Sequence, residues 1–356
     1  MKMRTQTVLT AIVLTLLLAA TASAQSKTFK LTVVAGHPPA FTWVKVVNEF
    51  FVPEVDKRLA AAGGKYKIKW NEAYGGTIAK PGGCLEAIQE GIADMGVVGT
   101  IFEASKMPLH NVTYMTPFGS GDISKVLDTV EQMKTLIPAV GKEWTKHNLV
   151  PLGGFALDTY GVLTNFPVKT VDDLAGHKIA APGPSANWVK GTGAVAVAGN
   201  LTTYYNDIKT GVYEGALTFI TAAAASKLHE AAPYICYANI GSQYAGALVI
   251  NKDVWDSLPP EVQKIFAEVG IEYSKKIAEV QTARAEKSLQ AMIEGGAKVV
   301  KLSFDERKRW ADKLPNIPME WANTMDKEGL PGTEVVKGFL NGLRERGTKL
   351  PRDWDK

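Results

Sequence analysis

The residue types that most often carry catalysis are few and scattered in this chain. Its histidines include His110, His147, His177 and His229, which lie in unrelated contexts without a nucleophile at a paired spacing. The sequence has no G-x-S-x-G elbow, no H-E-x-x-H pair and no phosphate-binding P-loop, and no G-x-G-x-x-G follows the first predicted strand. We therefore expect a protein that is not an enzyme and that uses no cofactor.

The two cysteines, Cys84 and Cys236, are far apart in the sequence. An oxidising compartment would permit a disulfide, but a disulfide also requires a short Cα separation that the sequence does not report. A bridge and two free buried thiols both remain open. Neither cysteine belongs to a CxxC or histidine-rich pattern, so no metal site is expected on them.

The stretch Thr170–Leu217 predicts a place where the backbone itself could hold a ligand. A short strand, Lys178–Ala181, leads into the loop Pro182-Gly183-Pro184 and then a helix from about Asn187. A second helix is predicted around Tyr205–Lys209, followed by a strand. Free N–H groups at a loop and a helix N-terminus attract polar ligand atoms. The alternative is a loop with a structural role only.

The N-terminal half of the chain alternates strands with helices. Apolar positions recur at helical spacing from Phe41 to Leu59, where Pro53 should interrupt the helix. A shorter helix is predicted at Cys84–Gln89. Such alternation indicates βα units and a mainly parallel sheet. The predicted strands are Phe29–Ala35, Tyr66–Trp70 and Asp94–Val98.

Ligands of such sheets collect at the carboxyl ends of the strands. Here those ends are His37–Ala40, Tyr74–Thr77 and Gly99–Phe102. We therefore expect a ligand to bind near these three segments.

A second α/β region starts near Leu152–Leu163, and Tyr244–Asn251 is predicted to return to the first region as a strand. A long helix at about Glu261–Glu294 would measure roughly 50 Å and could brace two lobes. A coiled-coil dimer is the competing interpretation of its apolar stripe. The tail predicts three more helices, at Phe304–Leu314, Pro318–Gly329 and Gly332–Arg346.

The N-terminus indicates export. Lys2 and Arg4 precede an apolar run, Val8–Ala20, and Ala22-Ser23-Ala24 fits a cleavage site with Gln25 starting the mature chain. An uncleaved membrane anchor is the alternative, although the run is shorter than the roughly 20 residues that a span needs. We expect a soluble, exported protein.

Length and charge narrow the class further. A chain of 356 residues predicts two domains, and its net charge of +4 is spread along the sequence. This distribution does not form the basic patch of a nucleic-acid-binding protein, so no nucleic-acid partner is expected.

Five segments, in this order, resemble the DctP-like solute-binding proteins of tripartite ATP-independent periplasmic (TRAP) transporters. The resemblance implies an α/β fold of two lobes that close over a small organic acid, and a partner with a small and a large membrane subunit. The segments are YGGTIAKPGGCLEAIQEGIADMGVV, LTNFPVKTVDDLAGHKI, YNDIKTGVYEGAL, LVINKDVWDSLPPEVQKIF and PMEWANTMDKEGLPGTEVVKGFLNGLRERG.

The resemblance also suggests a division of the chain. Residues 1–24 would be the signal peptide, and residues 25–150 with about 240–260 would form the first lobe. The second lobe would be residues 151–239, and the long helix at 261–294 would span both lobes. Residues 295–356 would form C-terminal helices packed on the lobes. We expect a monomer, because the long helix would pack within the chain as a brace between the two lobes and would not be needed for a dimer contact.

One departure from the family bears on the ligand. Where most members carry an arginine that clamps the ligand carboxylate, this chain has Ala180. A second common arginine has no counterpart in Thr159–Val162, and Thr203 replaces an acidic residue. An aromatic or apolar carboxylate is therefore favoured, with a neutral or amine ligand as the alternative. A periplasmic sensor would use the same cleft.

The family correspondence places a set of mostly neutral and aromatic residues at the cleft. Lys178 could supply a positive charge and Asp158 would suit a donor, while core packing is the alternative role for each aromatic residue. The candidate ligand-binding residues are His37, Trp43, Thr77, Thr100, Phe118, Phe155, Asp158, Tyr160, Lys178, Ala180, Asn187, Trp188, Phe219 and Gln243.

Overall fold

The structure, a computed structural model, describes residues 26–356. The predicted signal peptide and its cleavage site lie outside these residues. Eleven strands form two sheets within the described part of the chain. The strands are β1 Lys27–Ala35, β2 Tyr66–Ala73, β3 Met95–Gly99, β4 Leu149–Leu157, β5 Tyr160–Thr164, β6 Lys178–Ala180, β7 Val195–Val197, β8 Gly215–Phe219, β9 Tyr234–Tyr237, β10 Gln243–Asn251 and β11 Lys298–Lys301.

Helices cover the faces of both sheets, as expected for an α/β protein. They are α1 Thr42–Val46, α2 Val52–Ala61, α3 Cys84–Gln89, α4 Val112–Met115, α5 Ile123–Leu136, α6 Pro138–Lys146, α7 Tyr204–Lys209, α8 Ile220–Ala225, α9 Lys252–Ser257, α10 Pro260–Glu294, α11 Phe304–Lys313, α12 Ile317–Lys327 and α13 Gly332–Glu345. None of the helices within residues 26–356 combines the length and apolar character that crossing a membrane requires.

Each sheet is the centre of one lobe, and both sheets are mixed. The first has the order β2-β1-β3-β10-β4, and the second has the order β11-β9-β5-β8-β6-β7. The predicted return strand, β10, is present, but it pairs antiparallel to both β3 and β4. The strands β1, β2, β3 and β4 all run in one direction, so the first sheet is mainly parallel, as expected, with β10 as its single antiparallel strand. A chain that returns from the other lobe enters this sheet in the opposite direction.

The strand β4 pairs with β10 along almost its whole length, from Gln243 opposite Leu157 to Asn251 opposite Leu149. Residues 149–157 therefore belong to the sheet of the first lobe, beyond the predicted boundary at residue 150. The segment from Leu152 to Leu163 is the predicted start of the second α/β region. It contains the crossover between the lobes, because Asp158 and Thr159 separate β4 from β5.

The helix predicted from Phe41 to Leu59 contains the interruption expected at Pro53. The chain widens to a π-helical turn over Val47–Phe51, in which the N–H of Val52 donates to the carbonyl of Val47. Proline has no N–H for the α-helical ladder, and a π turn changes the pairing just before it. The helix then continues as α2, with Pro53 in its first turn.

The helix predicted from about Asn187 is wrong. Residues Gly183–Val189 form a 3-10 helix, and the chain then extends into β7. Gly191 and Gly193 have φ angles of +74° and +84°. This left-handed backbone is disfavoured for other residues and ends a helix, so the helical spacing of this segment is not continued.

The long helix α10 is confirmed as one continuous element of 35 residues. In its N-terminal half, Glu272 accepts from Arg58 of the first lobe, whose Nη2 lies 2.9 and 2.7 Å from the two carboxylate oxygens. Near its end Met292 is buried in the core of the second lobe. Its apolar stripe, including Phe266, Val269 and Tyr273, is buried within this chain. The helix therefore spans both lobes.

The C-terminal helices pack on both lobes. Trp310 of α11 is fully buried, and its indole N–H donates to the carbonyl of Trp188 in the second lobe at 2.8 Å. Phe339 of α13 lies in the core shared with Val130 of α5 in the first lobe. The tail thus adds a connection between the lobes beside α10.

A contact between two glycines sets the distance between α10 and β4. A Cβ added at Gly153 would lie 2.1 Å from the carbonyl oxygen of Gly270 and 2.9 Å from the hydroxyl of Ser274. A Cβ added at Gly270 would likewise lie 2.4 Å from the carbonyl oxygen of Leu152. The helix backbone therefore rests directly on the strand backbone.

We predict that Gly153→Ala lowers the free energy of unfolding by about 1–3 kcal/mol, because the helix must move away from the strand. Urea denaturation monitored by circular dichroism measures the change. Gly82→Ala is the matched control, since its Cβ would meet Phe102 at an ordinary 3.8 Å. Equal stability of the Gly153→Ala protein and the wild type would contradict the close packing.

Candidate functional site

A cavity of about 470 Å³ lies between the two lobes. This volume is typical of sites for small molecules. The first lobe contributes Ala35, Gly36, His37, Trp43, Pro81, Val97, Gly99, Ile101, Phe102, Tyr114, Phe155, Leu157 and Ala245. The second lobe contributes Tyr160, Pro182, Gly183, Pro184, Ser185, Asn200, Leu201, Thr202, Tyr204, Leu217, Thr218 and Phe219.

The ends of the strands and the loops that follow them build the cavity, as the sequence led us to expect. Residues 35–37 and 97–102 end β1 and β3, while residues 182–185 follow β6. Of the three predicted segments, the one at Tyr74–Thr77 does not line the cavity. The edge of the first sheet and the proline-glycine loop of the second lobe therefore face the same space.

Seven phenylalanine, tryptophan and tyrosine residues belong to the wall. Trp43 stacks on Phe155 with ring centroids 5.6 Å apart and planes inclined by 17°. Tyr160 lies 5.3 Å from Phe219 and 6.3 Å from Tyr114. These flat surfaces come from both lobes, so a flat or apolar ligand body would contact both of them.

The cavity contains no permanent charge. Among its lining residues in the described chain there is no Asp, Glu, Lys or Arg. Burial raises the pKa of Tyr114 to about 12, and it also raises the pKa of Tyr160 and of Tyr204 well above the ordinary value of a phenol. These three phenols therefore keep their protons at neutral pH and remain available as hydrogen-bond donors.

One polar atom of the wall is buried without a partner. The hydroxyl oxygen of Thr218 has no hydrogen bond within residues 26–356, although its residue is only 1% exposed. A buried hydroxyl normally has a partner, so this one is a candidate contact for a ligand. Part of the hydrogen-bonding capacity of the loop at 182–185 is used within the loop, because the Ser185 hydroxyl donates to the carbonyl of Pro182 at 2.7 Å.

The structure brings five of the predicted site residues to the cavity wall. They come from the end of β1, from α1, from β4, and from the antiparallel pair β5 and β8. These residues are His37, Trp43, Phe155, Tyr160 and Phe219.

Trp188 lies behind the wall instead of in it. It is fully buried, and its indole N–H donates to the carbonyl of Tyr114 at 2.8 Å. Its ring stacks on Tyr114 at 6.1 Å and meets Tyr160 edge-on at 5.3 Å. Trp188 therefore fixes the orientation of two lining tyrosines.

Ala180, at the position of the missing arginine, is buried in the core of the second lobe. It belongs to the same cluster as Tyr204 and Tyr213. The short side chain leaves this space to the tyrosines, and Tyr204 reaches the cavity. A neutral phenol thus contributes to the wall on this side of the second lobe.

The carboxylate of Asp158 is buried away from the cavity and already has three donors. The N–H of Thr221 donates to Oδ2 at 3.1 Å, and the Thr221 hydroxyl donates to Oδ1 at 2.6 Å. Gln281 of α10 donates to Oδ1 at 2.8 Å. Burial raises the pKa of Asp158, although these hydrogen bonds oppose the change. Its observed role is to join the crossover, α8 and α10.

The other predicted residues also lie off the cavity wall. Thr77 and Lys178 are exposed, and Asn187 is half-buried. Three more are buried among protein groups: the carbonyl of Thr100 accepts from Asn111, the amide of Gln243 donates to Gly241, and Phe118 packs against Trp310.

Sequence reasoning missed several lining residues, above all Tyr114, Tyr204 and Thr218. Tyr114 and Tyr204 lie on short helices, where an aromatic residue at helical spacing looks like a core residue. Thr218 lies beside the predicted Phe219 in a wholly buried strand. When a strand is buried on both faces, its residues do not alternate between apolar and polar types. The sequence pattern therefore does not indicate which side chains face a cavity.

Two short crossovers connect the sheets next to the cavity. Thr159 in the first crossover donates its hydroxyl to Asn239 in the second at 2.8 Å, and it accepts from the N–H of Gly241 at 3.1 Å. The N–H of Tyr160 donates to the carbonyl of Gly241 at 3.1 Å. The two crossovers are therefore bonded to each other and form one hinge region.

The two cysteines do not line the cavity. Cys84 and Cys236 are free and buried, one in each lobe. Burial raises the pKa of the Cys84 thiol to about 11 and that of the Cys236 thiol to about 12. Within residues 26–356 no three His, Cys, Asp or Glu side chains are grouped to hold a metal ion.

Two lobes joined by a bonded hinge, with an apolar cavity between them, define a ligand-binding protein of the periplasmic type. Comparison with known proteins agrees: the model of bacterial extracellular solute-binding protein family 7, DctP, matches residues 36–324. The chain therefore belongs to this family, as a DctP-like solute-binding protein of the TRAP type. Both the predicted fold class and the predicted family are confirmed.

Individual relatives are distant. The C4-dicarboxylate-binding periplasmic protein DctP of Rhodobacter capsulatus is 28% identical over 180 residues, 48% of this chain and 52% of its own length, so the match spans about half of that relative. A TRAP solute-binding protein of Rhodoferax ferrireducens, solved with copurified benzoate, is 18% identical with a TM-score of 0.77 over 90% of this chain and 98% of its own. One from Desulfovibrio salexigens, at 22% identity, has a TM-score of 0.76 over 89% of this chain and 96% of its own.

We predict that Thr221→Val lowers the free energy of unfolding by about 1.5–3 kcal/mol, because a hydrogen bond to the buried Asp158 is lost. Thr221→Ser, which keeps the hydroxyl, is the matched control and should retain most of the stability. Urea denaturation compares the three proteins. If the valine variant were as stable as the serine variant, the hydroxyl would have no such role.

Proposed function

We propose that this protein captures a small organic acid with a flat or apolar body in the cavity between its lobes. The observation that carries the proposal is a wall of aromatic rings, aliphatic groups and uncharged donors, with no lysine, arginine, aspartate or glutamate among the lining residues of the described chain. Rings on both lobes would bury the ligand body, and neutral donors would hold its carboxylate. The benzoate in the R. ferrireducens relative supports this choice of ligand class.

The protein would act by closing its lobes about the hinge and then delivering the ligand to the small and large membrane subunits of a TRAP transporter. A ligand drives closure only through its higher affinity for the closed state. Contacts from both lobes supply that difference. We further propose a periplasmic monomer, released from its signal peptide, that binds its ligand without converting it.

Neutral donors can hold a carboxylate if several of them act together. A hydrogen bond to a charged group contributes roughly 1.5–3 kcal/mol. The hydroxyls of Tyr114, Tyr160 and Tyr204, the indole of Trp43 and the hydroxyl of Thr218 belong to lining residues. A two-carboxylate ligand would leave a second charge in an apolar cavity, where burial of an unpaired charge is costly.

We predict that benzoate and related aromatic acids raise the thermal stability of the protein, whereas succinate and malate do not. At 100 times its dissociation constant a ligand stabilises the native state by about 2.7 kcal/mol. A thermal-shift screen at several concentrations measures this effect. Large shifts with the dicarboxylates and none with aromatic acids would contradict the proposed ligand class, and so would shifts with amines alone.

We predict that Thr218→Val weakens binding of the acid about 10- to 100-fold, because its hydroxyl would donate to the carboxylate. Stability should not fall, since this hydroxyl has no partner in the described chain. Thr113→Val is a matched control: its hydroxyl is also buried without a partner in that part of the chain, but Thr113 does not line the cavity. Isothermal titration calorimetry compares the variants. Equal weakening in both would rule out a direct role for Thr218.

A further inference from the structure

His37 occupies a special position at the end of β1. Its ring is surrounded by three aromatic rings, with centroids 5.1 Å from Phe41, 5.4 Å from Trp43 and 5.9 Å from Phe102. The residue also lines the cavity and is only half-buried. Packing therefore holds the ring at the cavity wall.

His37 is the one residue of the wall, within the described chain, that can become a cation near neutral pH. The phenols of the wall do not ionise in that range, and uncharged residues make up the rest. The charge state of the cavity thus depends on a single imidazole.

The charged groups on the surrounding elements are bonded elsewhere or lie off the wall. Arg284 of α10 donates to the carbonyl of Ala40 at 2.9 Å and to the hydroxyl of Thr42 at 3.2 Å. Glu103, next to Phe102, accepts from Lys106 at 3.2 Å.

The loop before Pro81 contributes two further titratable groups. The hydroxyl of Tyr74 is buried, and the side chain of Lys80 lies beside Gly76. Neither residue lines the cavity. None of these charged groups therefore lies where it could pair with a ligand in place of His37.

We infer that His37 determines the charge specificity of the cavity: it takes up one proton from solvent when the acid binds, and the resulting imidazolium pairs with the ligand carboxylate. This inference rests on the proposed function and adds its charge-recognition step. No bond of the ligand is made or broken. The anion and a proton enter the cavity together, so the complex remains neutral.

Electrostatics determines whether ligand binding and protonation of His37 favour or oppose each other. Burial lowers the pKa of His37 in the free protein, and no charged neighbour opposes the effect. A carboxylate beside the ring favours the protonated form and raises the pKa in the complex. Between these two pKa values binding takes up a proton, so affinity increases as the pH falls and decreases as the pH rises.

Isothermal titration calorimetry with benzoate tests the inference directly. Titrations at one pH in buffers of different ionisation enthalpy count the protons exchanged per ligand. We expect uptake that approaches one proton within the coupling range, and an affinity that falls by up to tenfold per pH unit between about pH 6 and 8. Benzoate itself stays ionised over this range, so the proton belongs to the protein.

The His37→Gln variant should bind benzoate more weakly at pH 6, with no proton uptake and no pH dependence. The amide can donate a hydrogen bond but cannot carry charge, which separates the charge of His37 from its shape. His229→Gln is the matched control, because His229 is partly buried in the second lobe and does not line the cavity. It should keep both the affinity and the proton uptake of the wild type.

The outcomes separate the inference from the proposed function. Benzoate binding to the wild type without proton uptake would overturn the inference and leave the proposed function standing. Unchanged proton uptake in His37→Gln would assign the proton to another group and would also overturn it. Failure of every organic acid to bind the wild type would overturn the proposed function itself. The proton count on the wild type does not depend on how well the variant folds.

Discussion

The arrangement of the two lobes depends on one buried carboxylate. Asp158 lies in the two-residue crossover between β4 and β5 and accepts hydrogen bonds from Thr221 at the start of α8 and from Gln281 in the middle of α10. A buried charge is costly unless donors surround it, so these three elements must meet at one point. The lining residue Phe219 precedes α8 by a single position, which connects this point to the cavity.

The cavity is built in two layers. The inner layer presents rings and hydroxyls to the ligand, while the outer layer holds those rings in place. Trp188 and Trp310 form a chain of this kind, since Trp310 donates to the backbone of Trp188 and Trp188 donates to the backbone of Tyr114. Through it the C-terminal tail influences a wall residue without contacting the ligand. Preorganised rings lose little conformational freedom on binding, which favours affinity.

The sequence predicted the elements well and the side-chain directions less well. Periodicity over many residues located α10, most strands and the three tail helices to within a few positions. The direction in which strands pair was harder to predict. The strand β10 enters between β3 and β4 from the other lobe, and the local sequence pattern does not show the path of the chain between lobes. The cavity residues at the ends of β1 and β3 followed from the sheet rule, whereas Trp188 and Asp158 face inward for reasons of packing that appear only once distant helices have docked.

The central place of β10 in the first sheet has a consequence for the order of folding. The strand lies between β3 and β4, yet it ends at Asn251, far beyond both of them in the chain. Until that strand is available, β3 and β4 each expose an unpaired edge, and exposed edges promote association between chains. The first sheet is thus completed only after the strands β5 to β9 of the second sheet have been synthesised, so any chaperone that protects the nascent chain must cover those two edges across the whole interval.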